Sequence, residues 1–201
     1  MRAYILLDRS GSMISLWDEA IGSINAYIKG LPAKAKVTAD LFDTGTYGQA
    51  DANYVRVRNT TVNNWQDIGT SEYSPRGGTP LNDAAGRLLT EVLASKDKKA
   101  VVIIMTDGYE NASKEFTLAQ VKELIKKVEA RGFEVIFLGA NFDNAEQQAV
   151  GYGVAMNKTM NISQGNLEST MRSMSQMTMA YMSGSSASIT LDAGIKAAAV
   201  K

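Results

Sequence analysis

Ala3-Tyr4-Ile5-Leu6-Leu7-Asp8-Arg9-Ser10-Gly11-Ser12 is an unbroken apolar run that stops on an acidic residue and opens into small polar ones. Five consecutive apolar residues without alternation describe a strand buried on both faces, the mark of a central position in a parallel sheet. Ile14, Trp17, Ala20, Ile21, Ile24 and Ile28 then recur at spacings of three and four, which predicts a helix ending near Gly30-Leu31-Pro32. The same figure returns downstream. Ala100 to Met105 is the most hydrophobic strand in the chain and runs into Thr106-Asp107-Gly108, again stopping at an Asp.

Working outward, Val37 to Leu41 and Tyr54 to Val57 read as two strands with no helix between them, joined by the Gly- and Thr-rich segment 43–53. This predicts an antiparallel pair at one edge of the sheet. Periodicity is lost from Asn59 to Gly78, and so long a connection inside a domain is more often functional than idle. Helices are expected over Leu81 to Ala94, Phe116 to Arg131 with Gly132 as C-cap, Asn144 to Val150 and Gly165 to Met182, and strands over Glu134 to Leu138 and Val154 to Ile162. Strands alternating with helices specify an α/β architecture: a doubly wound, mostly parallel central sheet with one antiparallel edge strand and helices on both faces. Residues 1–182 form this domain, and 183–201, rich in Ser, Ala and Gly, read as a mobile tail or a packed extension.

Composition removes several chemistries. The 201 residues contain no Cys and no His, which excludes disulfides, thiolate nucleophiles, Cys-ligated zinc and the commonest general base. Lys+Arg and Asp+Glu are 21 each, and a zero net charge argues against direct nucleic-acid binding. The Met1-Arg2 start runs directly into Ala3 to Leu7, too short for a signal-peptide core, and no stretch approaches the ~18 apolar residues of a membrane span. A cytoplasmic protein without membrane association is therefore expected.

Three segments place small oxygen donors where strands should emerge at the C-terminal edge of the sheet: Asp8, Ser10 and Ser12 in the first, Thr79 in Gly77-Gly78-Thr79-Pro80, and Asp107 in the third. That edge is where open α/β sheets bind ligands. Two carboxylates and three hydroxyls make a hard donor set suited to Mg²⁺, with Mn²⁺ or Ca²⁺ as substitutes, and two ionised carboxylates balance a divalent charge.

At these residues the sequence resembles the von Willebrand factor A (vWA) domain family, whose metal-ion-dependent adhesion site is written D-x-S-x-S, then Thr, then Asp. The resemblance covers Met1 to Met182. It implies a Rossmann-like vWA fold, direct ligation of Mg²⁺ by Ser10 and Ser12, ligation by Thr79 in at least one state, and action of Asp8 and Asp107 mainly through bound waters. It further implies a non-catalytic module whose partner protein completes the coordination with an Asp or Glu carboxylate.

Two readings compete. An Asp after the first strand of a doubly wound sheet also describes the Mg²⁺-dependent haloacid-dehalogenase-like phosphoryl-transfer enzymes, but these need a second acidic residue two positions later, and here that position is Ser10. Alternatively the chain acts in assembly through its Met-rich last helix and tail: Met156, Met160, Met171, Met174, Met177, Met179 and Met182 are seven of its ten Met. In that helix Met171, Met174, Tyr181 and Met182 are expected to pack inward while Met177 and Met179 point elsewhere. Arg9, at the motif's variable position, either steers an acidic partner or faces water. Glu110 and Asn111 read as a solvated loop, with lining of the site's rim as the alternative, and Asp18 and Glu19 as residues favoured by a helix dipole.

Overall fold

The computed structural model describes residues 1–45 and 53–201. Strands β1 (Arg2–Asp8), β2 (Lys36–Asp43), β3 (Asn53–Thr61), β4 (Ala100–Thr106), β5 (Glu134–Ala140) and β6 (Thr159–Ile162) form one sheet in the order β3-β2-β1-β4-β5-β6. β2 and β3 pair antiparallel, and every other pairing is parallel. The apolar runs beginning at Ala3 and Ala100 thus lie side by side at the centre, with Leu7 in register with Met105. That register brings the two Asp-terminated ends, Asp8 and Thr106-Asp107, to the same sheet edge.

Alternation of side chains splits each central strand between two cores. Ala3, Ile5 and Leu7 of β1 and Val101, Ile103 and Met105 of β4 face helices α1 (Trp17–Lys29) and α5 (Leu167–Ser183). Tyr4, Leu6, Val102 and Ile104 face α2 (Leu81–Ala94), α3 (Leu118–Ala130) and α4 (Ala145–Gly151). Because both faces are covered, neither strand shows a polar alternation, which is why the sequence reads as continuous apolar runs. α3 begins on a reciprocal capping box, with Thr117 and Gln120 satisfying each other's backbone N–H groups.

Several boundaries differ from the sequence reading, each for a local reason. Gly11–Leu16 is a 3₁₀ turn, so the α-helical phase begins only at Trp17, and Ile14 is 69% exposed although its spacing placed it on the apolar stripe. β3 continues to Thr61 because its partner β2 starts as far back as Lys36, and Asn59 to Thr61 belong to the sheet. The connection after it carries Ile68 into the core beside Trp65 and Tyr73. β6 spans only Thr159–Ile162, while Val154 turns into the opposite core. The joining segment 43–53 lies outside the described residues between 46 and 52.

The final residues are a packed extension. Ile189, Leu191 and Ala199 are buried in the α1/α5 core, and α6 (Ala193–Ala199) is capped by the Asp192 side chain. As the spacing predicts, Met171, Met174, Tyr181 and Met182 are buried and Met179 is exposed, but Met177, expected to point elsewhere, packs partly on the core.

α1 and α5 meet at Gly30, where an added Cβ would stand 2.1 Å from Ser175 Oγ and 2.7 Å from its Cβ. Ser175 is buried and lies in the body of α5. Gly30→Ala therefore lowers stability by about 1–3 kcal/mol, read as a shift in denaturant midpoint, and Ser175→Gly added to it restores part of the loss. An unchanged midpoint in the single variant would show that the two helices separate without cost.

Candidate functional site

β1 and β4 end level with one another, so the chain leaving each is forced outward at the same place. Asp8, the last residue of β1, is fully buried, and its Oδ1 accepts the Ser10 backbone N–H at 2.7 Å. Its Oδ2 accepts the Thr106 hydroxyl from β4 at 2.6 Å. The carboxylate thus folds its own loop back and ties it to the neighbouring strand. Ser10 Oγ lies 3.1 Å from Ser12 Oγ, and Ser12 Oγ donates to Asp107 Oδ1 at 2.7 Å. Four of the five residues singled out from sequence are therefore linked by hydrogen bonds.

Thr79 joins them through the loops on either side. Its N–H donates to Asn111 Oδ1 at 2.8 Å and its carbonyl accepts the Asn111 N–H at 3.1 Å, which fastens it to the segment after Asp107. Two residues earlier, the Gly77 carbonyl accepts the Gly11 N–H at 3.0 Å, fastening the same loop to the Asp8–Ser12 turn. Gly77 has φ +65°, and a Cβ there would stand 2.4 Å from the Gly45 carbonyl oxygen. Only glycine allows both the backbone angle and the approach. Asp8, Ser10 and Thr79 are buried, Asp107 is half-buried and Ser12 is exposed, so the cluster is open on one side.

Electrostatics follow from that burial. Desolvation pushes the Asp8 carboxyl up to about 7, against the lowering effect of its bonds to Thr106 and Ser10, and the charge of Asp107 raises it further. Asp107 is also raised, first by desolvation and with Ser12 opposing. Neither carboxylate has a cation beside it among the described ion pairs. Arg9, the one base in the turn, forms a buried ion pair with Asp43, its Nε donating to Oδ2 at 2.7 Å and its second nitrogen reaching the same oxygen. It neither steers a partner nor faces water, because a guanidinium this deeply buried needs a charged acceptor and the end of β2 supplies one.

Asp43 is the site residue that sequence reasoning missed. It also accepts Arg76 Nε at 3.2 Å and the Gly45 N–H, while Thr44 Oγ1 accepts the Gly78 N–H at 2.8 Å. One buried carboxylate therefore joins the turn after β1, the start of the connection after β2 and the loop that delivers Thr79. A weaker signal existed in the sequence: the mostly apolar segment Val37 to Phe42, interrupted by Thr38 and Asp40, also stops at an Asp. Glu110, read as solvated, organises its loop by accepting the Asn82, Ala112 and Ser113 N–H groups and the Ser113 hydroxyl. Glu19 caps the N-terminus of α5 through the Gly165 and Leu167 N–H groups.

No group of three or more acidic side chains converges among the described residues. A cation at this edge would rest on two carboxylates and the hydroxyls of Ser10, Ser12 and Thr79. These are uncharged or hard oxygen donors, and together they fit a small divalent ion that keeps room for an outside ligand.

Comparison with solved structures finds the same fold in proteins of low sequence identity. A von Willebrand factor type A protein from Catenulispora acidiphila matches with a TM-score of 0.59 at 16% identity, over 89% of this chain and 42% of that one. The pilus adhesin SpaC from Lactobacillus rhamnosus GG matches at 0.72 and 14% identity, over 88% and 29%. The vWF domain of the type V pili tip protein Mfa5 from Porphyromonas gingivalis matches at 0.65 and 11% identity, over 88% and 94%. The chain thus spans less than half the length of the first two. A comparison with curated protein sequences finds no match. The model of the von Willebrand factor type A domain matches residues 4–180, and this chain belongs to that family.

Proposed function

We propose that this chain is a protein-binding module in which a divalent cation, Mg²⁺ with Mn²⁺ or Ca²⁺ as substitutes, is held by Asp8, Ser10, Ser12, Thr79 and Asp107 and takes an Asp or Glu carboxylate from a partner protein. The observation that carries this reading is the linked cluster of Asp8, Ser10, Ser12 and Asp107, with Thr79 fastened beside it and one side open. Two desolvated carboxylates with no cation paired to them among the described residues are a site whose charge a divalent ion balances. Three hydroxyl donors leave the ion electrophilic enough to accept a further carboxylate.

Adhesive relatives of the same fold, the pilus adhesin and the pilus tip protein, are consistent with partner capture rather than turnover. Phosphoryl transfer finds less support, because Ser10, where the phosphatase pattern needs an acid, is a buried hydroxyl bonded within the cluster. Assembly through the Met-rich helix also finds less support: of the methionines in α5, Met179 alone is exposed.

Thermal unfolding of chelator-stripped protein tests the reading. A cation at about a hundred times its dissociation constant adds ~2.7 kcal/mol, a midpoint rise on the order of 5–10 °C for a chain of this size. Asp107→Ala, which removes a half-buried ligand and leaves the buried Asp8 network in place, abolishes the rise. No rise with millimolar Mg²⁺, Mn²⁺ or Ca²⁺ would overturn the proposal.

A further inference from the structure

A cavity of about 320 Å³ opens beside the cluster, bounded by Asn82, Tyr109, Glu110, Leu118, Gln148 and Tyr152. Its lining adjoins the candidate site along the chain. Tyr109 follows Asp107 by two residues, a span of at most about 7 Å, and Asn82 follows Thr79 by three. The Gln148 side chain, from α4, donates through Nε2 to the Gly108 carbonyl at 3.2 Å, between Asp107 and Tyr109. A ligand engaging the cluster therefore has this cavity as its immediate neighbour.

The lining defines what fits. Tyr109 is 55% exposed, and its ring meets that of Phe142 in a T-shaped arrangement, centroids 4.9 Å apart at 88°. Leu118 is 44% exposed, and large apolar groups left open around a concavity mark a contact surface. Tyr152 forms a buried wall, its hydroxyl already donated to Asn82 Oδ1 at 2.7 Å.

Two of the cavity's polar side chains, Glu110 and Gln148, offer acceptors of different standing. Glu110 is saturated by the backbone and Ser113 donors described above. Because a carbonyl only accepts, the Gln148 amide must present its nitrogen to Gly108, and its Oε1 is left buried with no hydrogen-bond partner. The terminal torsion of a glutamine is soft, so the amide can turn to bring Oε1, itself shielded from solvent, towards a donor in the cavity.

We propose that this cavity is a second subsite for the same partner: it receives an aromatic side chain bearing an N–H or O–H donor, a Trp or Tyr, one or two residues from the acidic residue that engages the cation. The proposal rests on the cation-dependent reading above. An aliphatic side chain would fill the apolar walls but leave Oε1 unpaired. A Lys or Arg would bring positive charge next to a bound divalent ion, and a second acid would meet Glu110 with no basic side chain in the lining. A donor-bearing ring matches the volume, the exposed Tyr109 ring and the unpaired acceptor together.

Short capped peptides carrying Trp one or two residues from Asp test this, titrated into the full chain with Mg²⁺ beside Ala–Asp and Trp–Asn controls. The Trp–Asp peptide is expected to bind at least tenfold more tightly than Ala–Asp. Tyr109→Ala, at an exposed position, reduces that advantage to within about twofold without changing Ala–Asp binding or the cation-induced thermal shift, and Tyr109→Phe retains it. Gln148→Leu likewise removes the preference for Trp over Phe in the peptide. Equal binding of Trp–Asp and Ala–Asp, an advantage that survives both variants, or no binding of Trp–Asp at all overturns the second subsite. Cation-free binding of N-acetyltryptophanamide at these residues, with no gain on linking it to Asp, also overturns it and marks a small-molecule pocket instead. Loss of the thermal shift with all three cations is a separate result and removes the cation reading itself.

Discussion

Asp43→Ala destabilises the protein by about 3–5 kcal/mol, lowering the thermal midpoint by roughly 6–20 °C. The Arg9 guanidinium is only 6% exposed and Asp43 is fully buried, so deleting the carboxylate strands a desolvated positive charge. Arg76, at 35% exposure, retreats to water and adds little. The same substitution releases the three loops that Asp43 joins, so the cation-induced midpoint rise disappears although no proposed ligand has changed. Pairing Arg9→Met with Asp43→Leu separates the two effects: apolar replacement of a buried ion pair is often close to neutral for stability, while the Gly45 N–H and Arg76 still lose their acceptor. A loss below about 1 kcal/mol in Asp43→Ala would mean that water reaches Arg9 and that the pair is not a structural hub.

Truncation after Ser183 has the other large effect. Ile189 and Leu191 are 1% and 2% exposed, and each buried side chain of this size contributes about 1.5–3 kcal/mol, so their removal costs roughly 3–6 kcal/mol before the exposed core around them is considered. The segment also supplies hydrogen bonds at the edge of the sheet, with the Leu191 N–H donating to the Asn157 carbonyl at 2.8 Å and the Ser163 N–H to the Ala199 carbonyl at 2.9 Å. β6 has only four residues, so these bonds matter to its pairing. A midpoint fall on the order of 10 °C in the truncated chain is expected. If the midpoint were unchanged, residues 184–201 would be a tail that merely rests on the domain. If stability held and only partner assembly failed, the segment itself would be the contact surface.

The site was legible where chemistry and position are local properties of the chain. Asp8 and Asp107 could be read because each ends a run too apolar to be anything but a buried central strand, and the end of such a strand lies at a ligand-binding edge. The hydroxyls of Ser10 and Ser12 share a turn with Asp8, so their meeting required no long-range information. Ile14 was misplaced because a 3₁₀ turn and an α-helix differ by only 0.6 residues per turn, and two turns of pattern do not separate them. The role of residues 184–199 was not legible because two buried aliphatics among Ser, Ala and Gly show no period.

Sequence by itself determined the α/β class, the two central strands, the antiparallel edge and the two Asp-terminated strand ends, whereas Thr79, expected at a strand end, lies in the loop before α2. Tertiary structure alone decided what Arg9 does, that Asp43 holds three loops together, that Thr79 is fastened by Asn111, and that Tyr109, Leu118 and Gln148 enclose a cavity beside the cluster. The difference is physical. Periodicity, capping and strand termination act between residues a few positions apart, whereas Arg9 and Asp43 are 34 residues apart and Gln148 and Gly108 are 40. Which distant carboxylate neutralises a buried guanidinium is set only when β2 packs beside β1, because the energy that selects the pair exists only once both groups have left water.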